Sequence, residues 1–274
     1  MLALSTHGPV LRAELSSRAS RLVGFSVSAY VVHDVLVDTG FPGAERELLA
    51  WVASLGGRLR GAMVTHKHED HAGNVEALAR RGVPLVMSAA TLRAVRDVSP
   101  IGFYRRFTWR SMVPLVSEPV AFDPAPLRLV PTPGHSPDHH AVWDPETGTL
   151  FGGDLFLGVK VRIAHPGEDP RRLARSLRDA AALAPAHLFD AHRGPIADPV
   201  AALRAKADWL EATLADVDRL LDAGWEDAAI RQAVLGREEL AGWFSRGDYS
   251  RINFVRAARR SRGAGGAVAR GSGA

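Results

Sequence analysis

The chain has 274 residues, 46% of them hydrophobic, enough for one sizeable domain with a smaller appendage. It contains no cysteine, which excludes disulfides, thiolate metal sites and a thiol nucleophile, so any metal must be held by nitrogen and oxygen. The formal charge is only +4, with basic residues that are nearly all arginine, and a balance this small argues weakly for a nucleic-acid partner. The N-terminal stretch has no continuous apolar core of the kind a secretory leader needs, and no apolar run reaches the roughly 20 residues that span a bilayer. The expectation is a cytoplasmic protein with no membrane partner.

In chain order, short apolar runs bounded by Gly, Pro, Asp or Thr predict strands at Ser26–Val32, Asp34–Asp38, Gly61–Thr65, Pro84–Ser88, Leu127–Pro131, Ala141–Asp144, Thr149–Gly152 and His187–Asp190. Amphipathic stretches predict helices at Ala44–Leu55, His71–Arg81 and Pro170–Leu183. Strands interleaved with helices point to a layered α/β architecture over residues 1–198. Residues 199–262 read as helix: Leu203, Leu210, Leu214, Val217 and Leu221 share one face, Gly224 breaks the pattern, and Asp248 is placed to cap a last helix through Arg260. Residues 263–274 are poor in bulky side chains and read as a disordered tail. The segment Ser99–Pro114, with four aromatics and three arginines and no clean period, reads as a connecting loop with a helical turn, or else as a flap over a site. Trp143, Trp209 and Trp225 fit core or interdomain packing.

The chemistry is concentrated in Thr65-His66-Lys67-His68-Glu69-Asp70-His71-Ala72-Gly73. His66 and His68 are two apart, so in an extended chain both rings project from one side, while Asp70 and His71 sit where the chain turns toward a helix. Four ligand-type side chains in six residues suit two adjacent ions better than one. Imidazole and carboxylate are the ligands a borderline ion such as Zn²⁺ takes when no thiolate is at hand, although iron and manganese also accept such sets. Three further residues follow predicted strands directly: His135 in Thr132-Pro133-Gly134-His135, Asp154 in Gly152-Gly153-Asp154, and His192 in Asp190-Ala191-His192-Arg193-Gly194. All can converge at one edge of a sheet.

The order Val37-Asp38-Thr39-Gly40, then THKHEDH, then His135, Asp154 and His192, resembles the metallo-β-lactamase fold superfamily over about residues 20 to 195. The resemblance implies a four-layer αβ/βα sandwich with two metals at one end of its central sheets, followed here by a small C-terminal helical region. It assigns His66, His68 and His135 to one metal, Asp70, His71 and His192 to the other, the Asp154 carboxylate to both, and a supporting rather than ligating role to Asp38. Arg193 departs from the glycine that many relatives place after the last histidine. A hydroxide bridging two such ions would attack an electrophilic carbonyl or phosphorus, with Asp70 both a ligand and the carboxylate that passes a proton to the leaving group. An aspartate at the bridge and a short gap to His192 point to the glyoxalase II-like branch: a small thioester, ester or lactone as substrate, and two divalent ions, Zn²⁺ by default. The alternatives are a phosphodiesterase or endoribonuclease, which Arg256, Arg259, Arg260 and Arg262 would serve, and a mononuclear iron persulfide dioxygenase. His139 and His140 read as structural, with one of them free to support a ligand; Lys160 reads as solvated, with an acidic substrate group as its other use; His165 lies in the segment that lines the cleft in relatives.

Overall fold

A computed structural model describes residues 1–238 and 240–268. By backbone contacts the chain divides into two compact units, the first made of residues 1–131, 138–157 and 184–199, and the second of 132–137, 158–183 and 200 onward. The last cut follows Pro199, and residues 132–137 and 158–183, within the expected first domain, are counted with the C-terminal helices.

The first unit holds two mixed sheets. One is ordered β1 (Leu2–His7), β2 (Val10–Leu15), β3 (Val27–Val32), β4 (Val35–Val37), β5 (Gly61–Met63) and β6 (Leu85–Val86), antiparallel through β4 and parallel from β4 to β6. The other contains β7 (Arg128–Pro131), β8 (His140–Asp144), β9 (Thr149–Phe151), β10 (His187–Asp190) and β11 (Gly194–Ile196), with β9 and β10 parallel and the remaining pairs antiparallel. At β3, β4 and β5 the first sheet is buried on both faces because its strands alternate between two cores. Val35 and Val37 join Tyr30, Val32, Met63, Val142, Phe151 and Phe189 between the sheets, while Leu36 joins Leu15, Leu48, Trp51, Val75 and Leu78 on the opposite face. α2 (Glu45–Ser54), α3 (Val75–Ala79) and α4 (Ala89–Arg96) contribute side chains to that second core, and the unit also contains α1 (Arg18–Leu22) and α5 (Phe103–Thr108). This is the α/β sandwich the sequence pattern calls for, with the eight predicted strands all in place.

Strand β11 and helices α1 and α4 were not predicted, and other elements differ from expectation. The helix predicted over His71–Arg81 shrinks to α3, because the amides of His71 and Ala72 turn back to His68 O (3.0 and 2.8 Å) and Gly73 N donates to Gly40 O (3.0 Å). The N-terminal hairpin β1–β2 was not predicted: β1 is an edge strand with a mostly exposed, mixed-polarity pattern that carries no burial signal. Within Ser99–Pro114 the helical turn is a six-residue helix, α5.

The second unit is helical, with α6 (Pro170–Ala182), α7 (Pro199–Asp222), α8 (Asp227–Ile230), a π-helical turn at Arg231–Leu235, α9 (Leu240–Phe244) and α10 (Arg251–Val268). Asp169 caps α6 by accepting from Arg171 N and Arg172 N, with Pro170 at the first helical position. The last helix continues past Arg260 into the stretch expected to be disordered, and residues 269–274 of that stretch lie outside the described residues. Trp143 is buried and Trp209 packs on Phe254, whereas Trp225 is 45% exposed and is not a core residue. Among the described residues no helix is long and apolar enough to cross a membrane.

Candidate metal centre

The centre is built at the carboxyl ends of parallel strands. Register pairs Val37 with Met63, so the residues that follow, Asp38 and Thr65, come side by side. Asp38 adopts a left-handed backbone (φ +62°) while its amide still donates to Met63 O (2.9 Å). Its carboxylate then accepts from Thr65 N (2.8 Å), from the Thr65 hydroxyl (2.9 and 3.0 Å), and from His71 Nδ1 (2.8 Å). The Thr65 proton is thus directed at Asp38, which leaves its oxygen to accept from His66 Nδ1 (3.0 Å). One carboxylate therefore sets the ring orientation of both His66 and His71.

On the second sheet, the parallel register of Phe151 with Phe189 brings the Asp154 and His192 loops together. Asp154 is reached through Gly153, at φ +51°, where a Cβ would lie 2.9 Å from His139 Nε2 and 3.0 Å from Thr65 Oγ1, so only glycine fits. His139 Nε2 accepts the Asp154 amide proton (3.1 Å). The buried Asp190 carboxylate accepts from His192 N, Arg193 N and Leu157 N (2.8, 2.9 and 2.6 Å), and His192 Nδ1 donates to Ser26 O (2.7 Å).

These supports leave the opposite ring nitrogens facing one another. His71 Nε2 lies 3.1 Å from Asp154 Oδ1 and 3.8 Å from Asp70 Oδ2. His192 Nε2 lies 3.3 Å from Asp154 Oδ1 and 3.4 Å from Asp70 Oδ2. Asp70, His71, Asp154 and His192 each offer a ligand atom, all within 4.8 Å of one another. His66, His68 and Asp154 meet the same condition, with His66 Nε2 3.0 Å from His68 Nδ1. Two ring nitrogens that close need a proton or a metal ion between them. The fit to a metal rests on a further observation: the fully buried His71 Nε2 makes no hydrogen bond of good geometry and faces the Asp154 and Asp70 carboxylates, a site that needs a cation, either a proton on that nitrogen or a metal ion.

The electrostatics agree. Burial, reinforced by the neighbouring His71, His68 and His139 rings, pushes the His66 pKa well below its ordinary value, so this ring is a neutral donor. Burial opposes charge on His71 and His192 as well, but there the Asp154 and Asp70 carboxylates outweigh it and raise both, with Asp38 adding to the effect on His71. Asp70 is held low despite its burial by those same two rings. The carboxylates that pair with imidazolium here are suited to pair with a divalent ion instead.

His135 lies in the second unit, on the turn Thr132–Pro137. That turn is anchored to α6 by Asp169 N donating to Gly134 O (2.7 Å) and the Ser176 hydroxyl donating to Pro133 O (2.7 Å). His135 is buried, with Nδ1 3.6 Å from Glu168 Oε1.

A profile of the Metallo-beta-lactamase superfamily matches residues 22–192, well over half of the chain and a span that contains all seven expected ligands. The chain belongs to the metallo-beta-lactamase superfamily. Among curated members of this superfamily it is 29% identical over 176 residues to the Beta-lactamase-like protein 2 homolog of Caenorhabditis elegans, covering 61% of this chain and 54% of that one. It is 34% identical over 143 residues to a hydroxyacylglutathione hydrolase of Anaeromyxobacter dehalogenans, covering 52% and 49%. The matched region spans about half the length of these relatives. Among solved structures, the metallo-beta-lactamase FIM-1 of Pseudomonas aeruginosa in its mono-zinc form superposes with a TM-score of 0.60 at 21% identity, covering 77% of this chain and 95% of that one. A metallo-beta-lactamase of Hirschia baltica gives 0.59 at 20%, covering 76% and 97%. Superfamily membership together with the His/Asp groups supports a metal-dependent enzyme.

His139 was singled out in the sequence only as a residue free to support a ligand, and the other contributors to this candidate metal centre were not legible there. His139 and Asp190 position backbone rather than bind, and Asp138 accepts from Lys67 N (2.9 Å) and the Thr91 hydroxyl (3.0 Å), fixing the His66–His68 turn. Arg105 of α5 forms a two-pronged pair with the buried Glu69, between His68 and Asp70. Phe25 and Trp109 stand against His192, each with its ring centre 6.2 Å from the imidazole. Burial, with the nearby Asp70 charge adding to it, raises the Tyr104 phenol. The aromatic excess of Ser99–Pro114 was the one signal that could have pointed to these residues. Lys160 is exposed, and His165 packs on Tyr249 and accepts from Gly167 N (3.1 Å) within the second unit.

Proposed function

We propose that this protein is a binuclear metal-dependent hydrolase of small acyl substrates, namely thioesters, esters or lactones. The observation that carries the reading is the Asp154 carboxylate, close to both His71 and His192 and within ligand range of His66 and His68 as well. A carboxylate shared in this way suits two ions and not one. In this reading His66, His68 and His135 hold the first ion, Asp70, His71 and His192 the second, and Asp154 spans both. Two bound divalent ions, Zn²⁺ by ligand type, would supply a water ionised at neutral pH and a polarised acyl carbonyl. The chain's own part is orientation and proton handling. Asp38 and the Ser26 carbonyl keep His71 and His192 presenting Nε2 to the centre. Asp70, held in its ionised form, takes the proton released by the attacking water and passes it to the leaving group.

A small substrate is favoured over RNA by what the C-terminal arginines do. Arg259 pairs with Asp227, Arg262 with Asp222, and Arg260 donates to Pro166 O. Guanidiniums tied to carboxylates and a carbonyl of their own unit make a poor phosphate track. The names of the hydroxyacylglutathione hydrolase relatives also support thioester chemistry. The test is metal analysis of the purified protein beside a screen of thioester, lactone, phosphodiester and RNA substrates. Two ions per chain with thioester or lactone turnover is the expected result. One iron per chain with oxygen consumption, or cleavage confined to RNA, would overturn the reading.

A further inference from the structure

We propose that Tyr30 is a positioning residue for the last metal ligand: its buried hydroxyl helps fasten the Asp190–His192 segment to the open edge of β3, and metal affinity at the His192 group depends on it; this rests on the two-ion reading above. The reason lies in strand lengths. β2 pairs with β3 from Val27 to Val31, but β4 pairs with it only from Tyr30 to Val32, since the chain turns away at the left-handed Asp38. The edge of β3 around Ser28 is thus left without β4, and residues 190–192 occupy it. Ser28 N donates to Ala191 O (2.7 Å). Two residues back, Ser26 O accepts from His192 Nδ1 (2.7 Å), and two residues on, the Tyr30 hydroxyl donates to Asp190 O (2.6 Å). Three successive residues of the last ligand loop are therefore held by three alternate residues along one stretch of chain.

The ligand group at this end is drawn from both sheets. Asp70 and His71 follow β5 of the first sheet, whereas Asp154 and His192 follow β9 and β10 of the second. Their spacing survives only if the two sheets are tied together close by, because a metal site must be held to within about 0.5 Å of its working geometry. His66 and His68 share one loop and need no such tie between them. Ser26 and Ser28 fasten the loop with backbone groups, and Tyr30 does so with a side chain. The Tyr30 ring is 2% exposed and lies against Phe151 and Phe189, with each centre 5.3 Å away. Burial raises its pKa, so the phenol stays protonated and remains a donor. Phenylalanine would fill the same space and make no hydrogen bond.

The test is Tyr30→Phe in the full chain, which keeps the packed ring and so the fold, with zinc affinities resolved as successive steps by competition against chelators. One step is expected to weaken roughly 10–100-fold, as when a ligand loses its support, and the other to change by less than about threefold. The stabilisation that zinc gives against urea unfolding should shrink in parallel. The His192 Nδ1 proton, followed by NMR in the zinc-loaded chain, should exchange with solvent faster than in the wild type, while the His71 Nδ1 proton keeps its rate. A hydroxyl that serves packing alone would lower the stability of the zinc-free and zinc-loaded chains equally and leave both affinities and both exchange rates unchanged. That result overturns the proposal. Equal weakening of the two steps overturns it too, since the effect would not be specific to the His192 group. A chain that binds a single zinc, held more weakly in Tyr30→Phe, ends the two-ion reading and keeps the positioning role. Two zinc ions bound by the variant with wild-type affinity have the opposite meaning.

Discussion

Two regions of the first unit border the same loop and are held in different ways. The strand ends that carry His66, His71, Asp154 and His192 are fixed atom by atom: each ring or amide has a named partner in Thr65, Asp38, His139, Ser26 or Asp190, nearly all buried. The segment from α5 to Ser117 is held by more widely spaced polar contacts, by Arg105 on Glu69, by Gly43 N on Trp109 O (3.3 Å), by Leu115 N on Val95 O (2.9 Å) and by Val116 and Ser117 on Glu76, with Trp109, Met112 and Leu115 buried in the core. Metal chemistry tolerates little displacement, so its supports are dense and specific. The segment from α5 to Ser117 carries no candidate ligand, and widely spaced pins suffice to keep it beside the loop.

The contrast is tested hardest where the chemistry is densest. Asp70→Asn keeps the shape of the side chain and removes its charge, so folding should be preserved while turnover falls by about 10²–10⁴-fold, the usual worth of a positioned proton-transfer group. Near wild-type turnover in a metal-replete sample would remove Asp70 from that role. Asp38→Ala is the next largest. It strips the shared support from His66 and His71 without touching a ligand, and should weaken zinc binding by roughly 10–100-fold, measured by competition with a chelator. Unchanged affinity would mean that the surrounding pack, not Asp38, orients those rings.

The same division explains what could be read from the sequence. His66, His68, Asp70 and His71 were visible because ligands must be particular residue types at particular spacings, and the strands beneath them because two-sided burial makes each strand a continuous apolar run. Asp154 and His192 were visible for the same reason, each following such a run. Asp190 was not, because its partners are backbone amides that any folded arrangement could use, and His139 was singled out without its partner, the Asp154 amide 15 residues away. Arg105 and Glu69 are 36 residues apart, and Phe25 meets His192 across most of the chain, so nothing local marks either contact. The shortened α3 is another such case: the helical pattern over His71–Arg81 is real, but hydrogen bonds from Gly73 and Asn74 to the Thr39–Phe41 loop outcompete it.

The smallest effect concerns the far pin of the α5 segment. Glu76, on α3 just past the metal loop, accepts from Val116 N and Ser117 N (both 3.0 Å), from the Ser117 hydroxyl (3.1 Å) and from Arg80 (2.6 Å). Burial alone would raise its pKa, but these donors outweigh it and hold the carboxyl below the usual glutamate range. A depressed folded-state pKa contributes stability that is present above the unfolded value, about 4.3, and is lost as pH falls through the folded one. Glu76→Gln should therefore cost roughly 1–3 kcal/mol at neutral pH, a typical worth for hydrogen bonds to a charged acceptor, and should flatten the acid limb of stability measured by urea unfolding between pH 6 and pH 3. Hydrogen exchange should rise along residues 110–118 and stay slow at Thr65 and Ala191. Equal exchange increases in both places would mean that the segment and the strand ends share one cooperative unit, and the distinction between sparse and dense support would collapse.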